Sequence, residues 1–576
     1  MGKGVRAGLG LVSRQGKEVM SRGIAQPQNV IFWGAGATAK LGIRMTAGQE
    51  QFIRCITGVD DSRRPLKERV AEALGPKAAK LWHAALIDLI TILGDTDASY
   101  DSITDVTEEQ LKAMRRNWKR GANRKELRGR IVNLRLTYDW PALKSAVSIC
   151  PGSATGKLRL NDLFNLLDMH IPTGFGFRAP AHATASGSKK RPDEQFFDAR
   201  RLIGAKNALL MILIASFYVD YQVCITSNPK VLAQYYEFAK ALGRRMQRQG
   251  EVLSSKKRGL DQPTFYQGDV GFVSLNYDPI ALWVQFFANR ELNKSPDVPK
   301  IGTPPVPLHL FHDFGHLIPA RRIGKGEDDW PWYPLNEGAA QRLNELENGD
   351  CRVRLTKFLF PHGCLCWREC PDCGKLSAYH GDEWKLNAPG LFPPPPLRAF
   401  DRRECAPWIT GAEREQREKG KVDARKCLHC GTLTYTQHTQ AVMQSSFKPR
   451  PPSFIEEIQR ELRATTMQAS HIIFMGYSLP PDDVTYRAFF SARRQRRGTK
   501  VRCTVVSWDR KNPGWYGPPQ LKTLDLSKLP AVNAAVDIFG KENVRFYGGG
   551  VPDVFLDKGK ATDAKLEQLL TWSSTP

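Results

Sequence analysis

Five short runs of apolar and β-branched residues punctuate the chain. They are residues 30–33 (VIFW), 272–275 (FVSL), 472–475 (IIFM), 501–507 (VRCTVVS) and, more weakly, 544–547 (VRFY). Short, largely apolar runs that end in small or polar residues predict strands buried on both faces, as in a parallel sheet. The long interval between the first two reads differently. Residues 76–93 and 198–221 place apolar side chains at helical spacing, with 182–192 (HATASGSKKRP) as a polar loop between them. Residues 291–352 are rich in Pro, Gly and Asp and predict surface loops. Residues 387–411, with PPPP at 393–396, predict an extended insertion.

Ligands of an open parallel sheet bind beyond the carboxyl ends of its strands. Here those ends carry Gly34-Ala35-Gly36, Asn276-Tyr277-Asp278, Gly476-Tyr477-Ser478 and Ser507-Trp508-Asp509. The glycine turn, followed by Ala37 and Thr38, lets backbone approach a phosphate, with the next helix expected to supply free N–H groups; glycine also ends many strands for packing alone. An Asn at a strand end can hold a ribose hydroxyl or a water, and Asp278 can fix its neighbours, although both types also favour turns. Gly476 and Ser478 are small enough to admit a phosphate or ribose before Pro480 stops the strand and a helix begins near Tyr486. His362, beside Gly363, is a candidate general base. His312 and His316, in HDFGH, are rivals whose i,i+4 spacing suits a helix or a metal.

Twelve cysteines in 576 residues, without a signal peptide, argue against a disulfide scaffold. Their spacing is informative. Cys370-Pro-Asp-Cys373-Gly and Cys427-Leu-His-Cys430-Gly are two knuckles able to close four thiolates around a structural Zn2+, with the proline-rich insertion between them. Such a closed site has no open position for chemistry.

Net charge is +25, from 84 Lys+Arg against 59 Asp+Glu. The excess gathers in residues 112–135, whose one acid is Glu126, and in 493–500 (RRQRRGTK). Such runs can neutralise phosphates, with Trp118 available to stack on a base, so nucleic acid is a candidate partner; the plainer reading is a solvated helix face. The longest apolar run, residues 208–219, is too short to span a bilayer and predicts a buried helix. The basic, Gly-rich N-terminus lacks an apolar segment and reads as a flexible arm of a cytoplasmic protein.

The order of these motifs resembles the sirtuin family of NAD-dependent enzymes. A GAG turn, an Asn-x-Asp strand end, a His-Gly, paired CxxC knuckles and a G-x-S-L strand end follow one another over segments 29–50, 270–290, 354–376, 425–432 and 465–510. Protein-deacetylating sirtuins usually carry Thr-Gln-Asn-Ile-Asp and a Phe-Gly-Glu strand after the knuckles. Here SLNYD stands at 274–278, and SSFKPRPP follows the second knuckle. SLNYD, GYSLPPDD and a large helical insertion are similar instead to the sirtuin-like domains of bacterial antiphage systems, which hydrolyse NAD.

The resemblance implies an α/β fold: a Rossmann-like parallel sheet with helices on both faces, a small four-cysteine zinc module and a large helical insertion. The expected division is a flexible arm at 1–28, Rossmann-like segments at 29–59, 263–353 and 451–576, a helical insertion at 60–262 and a zinc-knuckle module at 354–450. NAD would be the substrate, its pyrophosphate over Gly34, Ala35, Gly36 and Thr38. Asn276 would hold ribose or water, His362 would take a proton and Asp278 would orient the pair. Gly476 and Ser478 would contact phosphate or ribose, with Asp509 or Ser507 at the adenosine ribose. The expected function is cleavage of the nicotinamide–ribose bond in antiphage defence, with assembly into a homo-oligomer or a trigger protein as control. The alternatives are an NAD-dependent protein deacylase and a nucleic-acid-associated sensor.

Overall fold

The computed structural model describes residues 26–59, 64–94, 104–117, 122–180, 194–257, 259–316, 351–369, 376–378, 439–441, 451–481, 483–496 and 500–576. Its centre is a nine-stranded sheet, whose strands we number β1 (Asn29–Trp33), β2 (Gln267–Ser274), β3 (Lys300–Ile301), β4 (Val306–Asp313), β5 (Arg352–Leu359), β6 (His471–Met475), β7 (Arg502–Val506), β8 (Trp515–Tyr516) and β9 (Val544–Tyr547). The spatial order is β8-β9-β7-β6-β1-β2-β5-β4-β3. The seven inner strands are parallel, and only the two-residue edge strands β3 and β8 run antiparallel.

All five runs singled out in the sequence lie in this sheet. Their side chains are almost wholly buried because helices cover both faces. Consecutive residues of β5 report this directly. The Thr356 hydroxyl meets Met246 Sδ of helix Pro229–Ser254 at 3.0 Å, and Lys357 Nζ meets Glu461 of helix Ser453–Gln468 at 2.7 Å. Neighbouring positions on a strand point to opposite faces, so these two helices lie on opposite sides. Aromatic rings fill the space between the layers. Phe272 stacks on Phe358 at 5.4 Å, and Phe490 packs edge-on against Phe32 and Phe474.

Three strands run against the sequence reading. Residues 291–352 do not form only surface loops: they contain β3 and all of β4. Strand β5 belongs to the central sheet, so the expected module border at 354 falls inside it. Strands β4 and β5 carry charged and imidazole side chains that look solvent-bound in sequence yet are buried. Arg354 donates to the Phe265 carbonyl, and Lys357 lies 3.3 Å from Asp313. HDFGH is therefore the end of a strand and the turn after it, with no helix. The flexible arm expected up to residue 28 does not extend over its described end, where Gln26 is buried and accepts a bond from Thr465 at 2.8 Å.

The chain between β1 and β2 forms helices Thr46–Thr57, Leu66–Leu93, Glu108–Asn117, Arg124–Thr137, Trp140–Ile149, Leu160–Thr173, Ala199–Ser227 and Pro229–Ser254. Local chemistry sets several of their ends. Asn123 and Glu126 form a reciprocal capping box, while Asp139 and Asp198 cap the next turn's N–H groups. Leu66–Leu93 breaks at Gly75, whose φ of 74° precedes Pro76. A hairpin, Phe177–Pro180 with Glu194–Phe197, interrupts the helices without a clear sequence signal. Ala199–Ser227 is longer than its apolar run. By length and composition alone it could cross a membrane, but most of its apolar window is buried inside the fold. The loop at 182–192 and the stretch at 387–411 lie outside the described residues, as do Cys370, Cys373, Cys427 and Cys430.

Candidate functional site

Register brings the strand ends together. Trp33 pairs with Met475 on one side and Ser274 on the other, and Met475 pairs with Val506. From β1 the chain goes to β2 and outward, and later returns to β6 on β1's opposite side. The topological switch point therefore lies between β1 and β6, where open α/β sheets form their crevice. The GAG turn and the GYS turn leave the sheet here, side by side.

The glycines lock these two turns to each other. Gly34 N–H donates to the Met475 carbonyl at 2.9 Å, and Gly36 N–H to the Gly476 carbonyl at 3.0 Å. A Cβ on Gly476, whose φ is +61°, would stand 2.1 Å from the Ala37 nitrogen; one on Gly34 would stand 2.6 Å from the Gly476 oxygen. Close packing thus accounts for these glycines, with two of their N–H groups spent on it. The helix expected to follow directly is replaced by two 3-10 turns, Ala35–Ala37 and Ala39–Leu41, and the first α-helix starts only at Thr46. Ala37, Thr38 and Leu41 use their N–H groups within these turns, so the row of free donors expected from a helix start is not there.

A cavity of about 610 Å³ opens over the switch point. That volume is in the range of small-molecule sites. Its floor is Gly34, Ala35, Gly36 and Thr38 from β1, Leu275–Asp278 from β2, and Gly476, Tyr477, Ser478 and Pro480 from β6. Ile43 to Ala47, Gln49 and Glu50 form one wall. Arg159, Leu160, Asn161, Phe164, Leu213 and Phe217, from the helical insertion, form another.

Asn276, Thr38 and Asp278 make a buried polar cluster on the floor. Asn276 Nδ2 donates to Thr38 Oγ1 at 3.4 Å, and the Thr38 hydroxyl in turn donates to the Ala35 carbonyl. Asp278 accepts from Ile280 N–H at 3.1 Å and from the Asn276 side chain. Burial pushes the Asp278 carboxyl up to about 6, against the opposing pull of those bonds. It is thus a carboxylate poised near neutral pH at the floor of the cavity. Glu50 is also raised, mainly by burial, while accepting Leu160 N–H at 2.9 Å.

His362 is buried but does not line the cavity. Its Nε2 is hydrogen-bonded to the Tyr486 hydroxyl at 2.7 Å, and its ring lies 6.1 Å from that of Tyr277, which does line it. It stands one side chain back from the cavity. The rival histidines are farther off in the sheet, on and after β4, beyond β2 and β5. His312 is pushed down to about 3 by burial, and His316 Nδ1 contacts Glu457 at 2.5 Å. Asp509 sits at the same rim, beyond β7, and outside the cavity lining. Its carboxylate closes its own turn on Asn512 and Lys511, bonds that lower its pKa.

The sequence reading overlooked one wall of the site. Arg44 lies two residues past Gly42, so the glycine turn could have drawn attention to it. Its guanidinium reaches Ser216 Oγ at 2.9 Å and Asp220 at 3.0 Å and lies 4.8 Å from the centre of the Phe52 ring. Burial outweighs this pairing and leaves Asp220 raised to about 6. Nothing in the sequence flags Arg159, Asn161 or Phe164, because only tertiary packing brings them here.

The basic clusters are partly committed to structure. Arg116 pairs with Asp88 and Arg124 with Glu108. Arg135 donates to the Ile92 carbonyl, and Arg493, Arg494 and Arg496 donate to those of Ala469, Ile538 and Met467. Among the described residues no group of three or more His, Cys, Asp or Glu is arranged to hold a metal. Compared with known proteins, the chain matches no family model and no curated protein sequence.

Proposed function

We propose that this protein hydrolyses NAD at the nicotinamide–ribose bond, as an effector of antiphage defence. One observation carries the reading: a cavity of about 610 Å³ at the switch point of a mostly parallel sheet, bounded at once by Gly34–Gly36, Asn276–Asp278 and Gly476–Ser478. Three distant segments, matched in order to a family that uses NAD, meet around one space of suitable size.

Cleavage breaks the C1′–N bond, and its electron pair neutralises the nicotinamide ring, so the leaving group needs no acid. An oxocarbenium-like ribose is captured by water, which gives its proton to a base and leaves ADP-ribose. Asn276 holds the ribose hydroxyl or the water. Asp278 orients Asn276 and, with a carboxyl near pH 6, is able to take a proton itself. His362 supports proton removal from behind Tyr277. Gly476 and Ser478 border the phosphate–ribose path, and Asp509 or Ser507, which lie outside the cavity lining, would meet the adenosine ribose only where the ligand extends past the cavity. The four cysteines would hold Zn2+ structurally, and no step passes through it.

The test is incubation of purified full-length protein with NAD, alone and with acetyl-lysine peptide or DNA. ADP-ribose and nicotinamide formed without peptide or DNA support the proposal. Strict peptide dependence replaces it by a deacylase, strict DNA dependence by a nucleic-acid sensor. No nicotinamide in any arm ends it.

A further inference from the structure

Gln49 is the odd residue of the cavity. It sits in the first turn of helix Thr46–Thr57, is 2% exposed, and lines the cavity. Neither its Nε2 nor its Oε1 has a hydrogen-bond partner. Of the cavity-lining residues it alone has a buried side-chain polar atom in that state. A buried amide left unmade is costly, and native folds rarely keep one without a use. Around it the chain readily satisfies polar groups. Arg44 is held by Ser216, Asp220 and two carbonyls, and Glu50 by Leu160. Other buried polar atoms of the fold also lack a partner, but among the residues that line the cavity the unmet amide is confined to Gln49.

An amide offers a donor beside an acceptor. Its complement is a flat, uncharged edge that presents an acceptor beside a donor. The helix bearing Gln49 packs against helices Leu160–Thr173 and Ala199–Ser227, which bring Phe164, Leu213 and Phe217 to the same cavity. Phe164, Leu213 and Phe217 beside a free bidentate amide suit a heteroaromatic ring carrying such an edge.

We propose that Gln49 is a binding residue that reads the donor–acceptor edge of a heteroaromatic ligand group, its amide being completed only when that ligand is bound. This rests on the dinucleotide reading above. NAD offers two such edges, the nicotinamide carboxamide and the amino side of adenine, and the experiment separates them.

Full-length wild type and Gln49→Met are compared in two measurements. Methionine keeps length and helix preference and removes both polar atoms. The first measurement is the thermal midpoint without ligand; the second is Kd for a carbocyclic NAD analogue whose C1′–N bond is not cleaved. The midpoint should stay level or rise, since an unsatisfied group has been removed, while the analogue's affinity falls about tenfold. The same loss should appear with only one of the fragments nicotinamide and ADP-ribose, which identifies the edge. A midpoint lowered by several degrees overturns the proposal, because the amide must then be satisfied within the protein. An unchanged affinity, or equal losses with both fragments, overturns it too. Failure of the wild type to bind the analogue at all removes the dinucleotide reading itself, and this inference with it, a result distinct from any difference between the two proteins.

Discussion

Arg44 and Asp220 form an ion pair at 3.0 Å that ties the segment after the glycine turn to the long helix of the insertion. The Arg44 backbone N–H donates to the same carboxylate, also at 3.0 Å. The pair stands at the cavity wall, so the insertion is bonded into the site. Removing one partner strands the other charge. Asp220→Ala should lower unfolding free energy by about 3 kcal/mol in urea denaturation. A loss under about 0.5 kcal/mol would show that solvent screens the pair.

Gly476 is the closest point between the two turns that border the cavity. Gly476→Ala must place its Cβ against the Ala37 nitrogen at a left-handed φ. We expect a loss of at least about 2 kcal/mol and collapse of NAD binding together. Gly514→Ala, where a Cβ meets nothing within 4 Å, is the control and should change neither. Equal behaviour of the two variants would mean the turns can separate freely.

Asp278 gives a pH signature. Its folded carboxyl titrates at about 6, above its ordinary 3.8, so the folded state holds the proton more tightly than the unfolded chain. Its contribution to stability is therefore full below 3.8, falls as pH rises towards 6 and is constant above. Activity runs the other way, because a base must be unprotonated. The rate of NAD cleavage should drop below about pH 6, and Asp278→Asn should cut it by roughly a hundredfold or more. A flat pH–rate profile between 5 and 7 would exclude Asp278 as the group that titrates.

The two histidine positions are distinguishable by single substitutions. His362→Ala should slow NAD cleavage by disturbing Tyr486 and the ring of Tyr277 that lines the cavity. His316→Ala, in the distant contact with Glu457, should leave turnover within a factor of a few. Turnover assays that return the opposite ranking would move the reaction away from the switch point, towards the strand that carries His312.

Zinc is expected in stoichiometric amount by metal analysis of protein prepared without chelators, and should be lost in Cys370→Ser. A zinc-free, fully active preparation would reduce the two knuckles to unconnected thiols.

Much of the sheet was legible because parallel strands buried on both faces must be apolar along their length, as residues 30–33 and 472–475 are. The strand ends were legible too, since small and amide residues interrupt those runs. Strand β5 was not. Arg354 and Lys357 look solvent-bound until one sees the Phe265 carbonyl that accepts from the first and the Asp313 and Glu461 carboxylates that pair with the second, all distant in sequence. Nor could local reading separate the two uses of Gly34 and Gly36, since their closeness to Gly476 exists only once β6 lies beside β1.

By itself the sequence determined the apolar strands, the small residues at their ends and the order of the motifs, because these follow from covalent neighbours and burial preference. Tertiary structure alone decided that the insertion walls the cavity, that His362 stands behind Tyr277, and that Gln49 is left with its amide unmet. Those outcomes depend on contacts between segments that no local pattern connects.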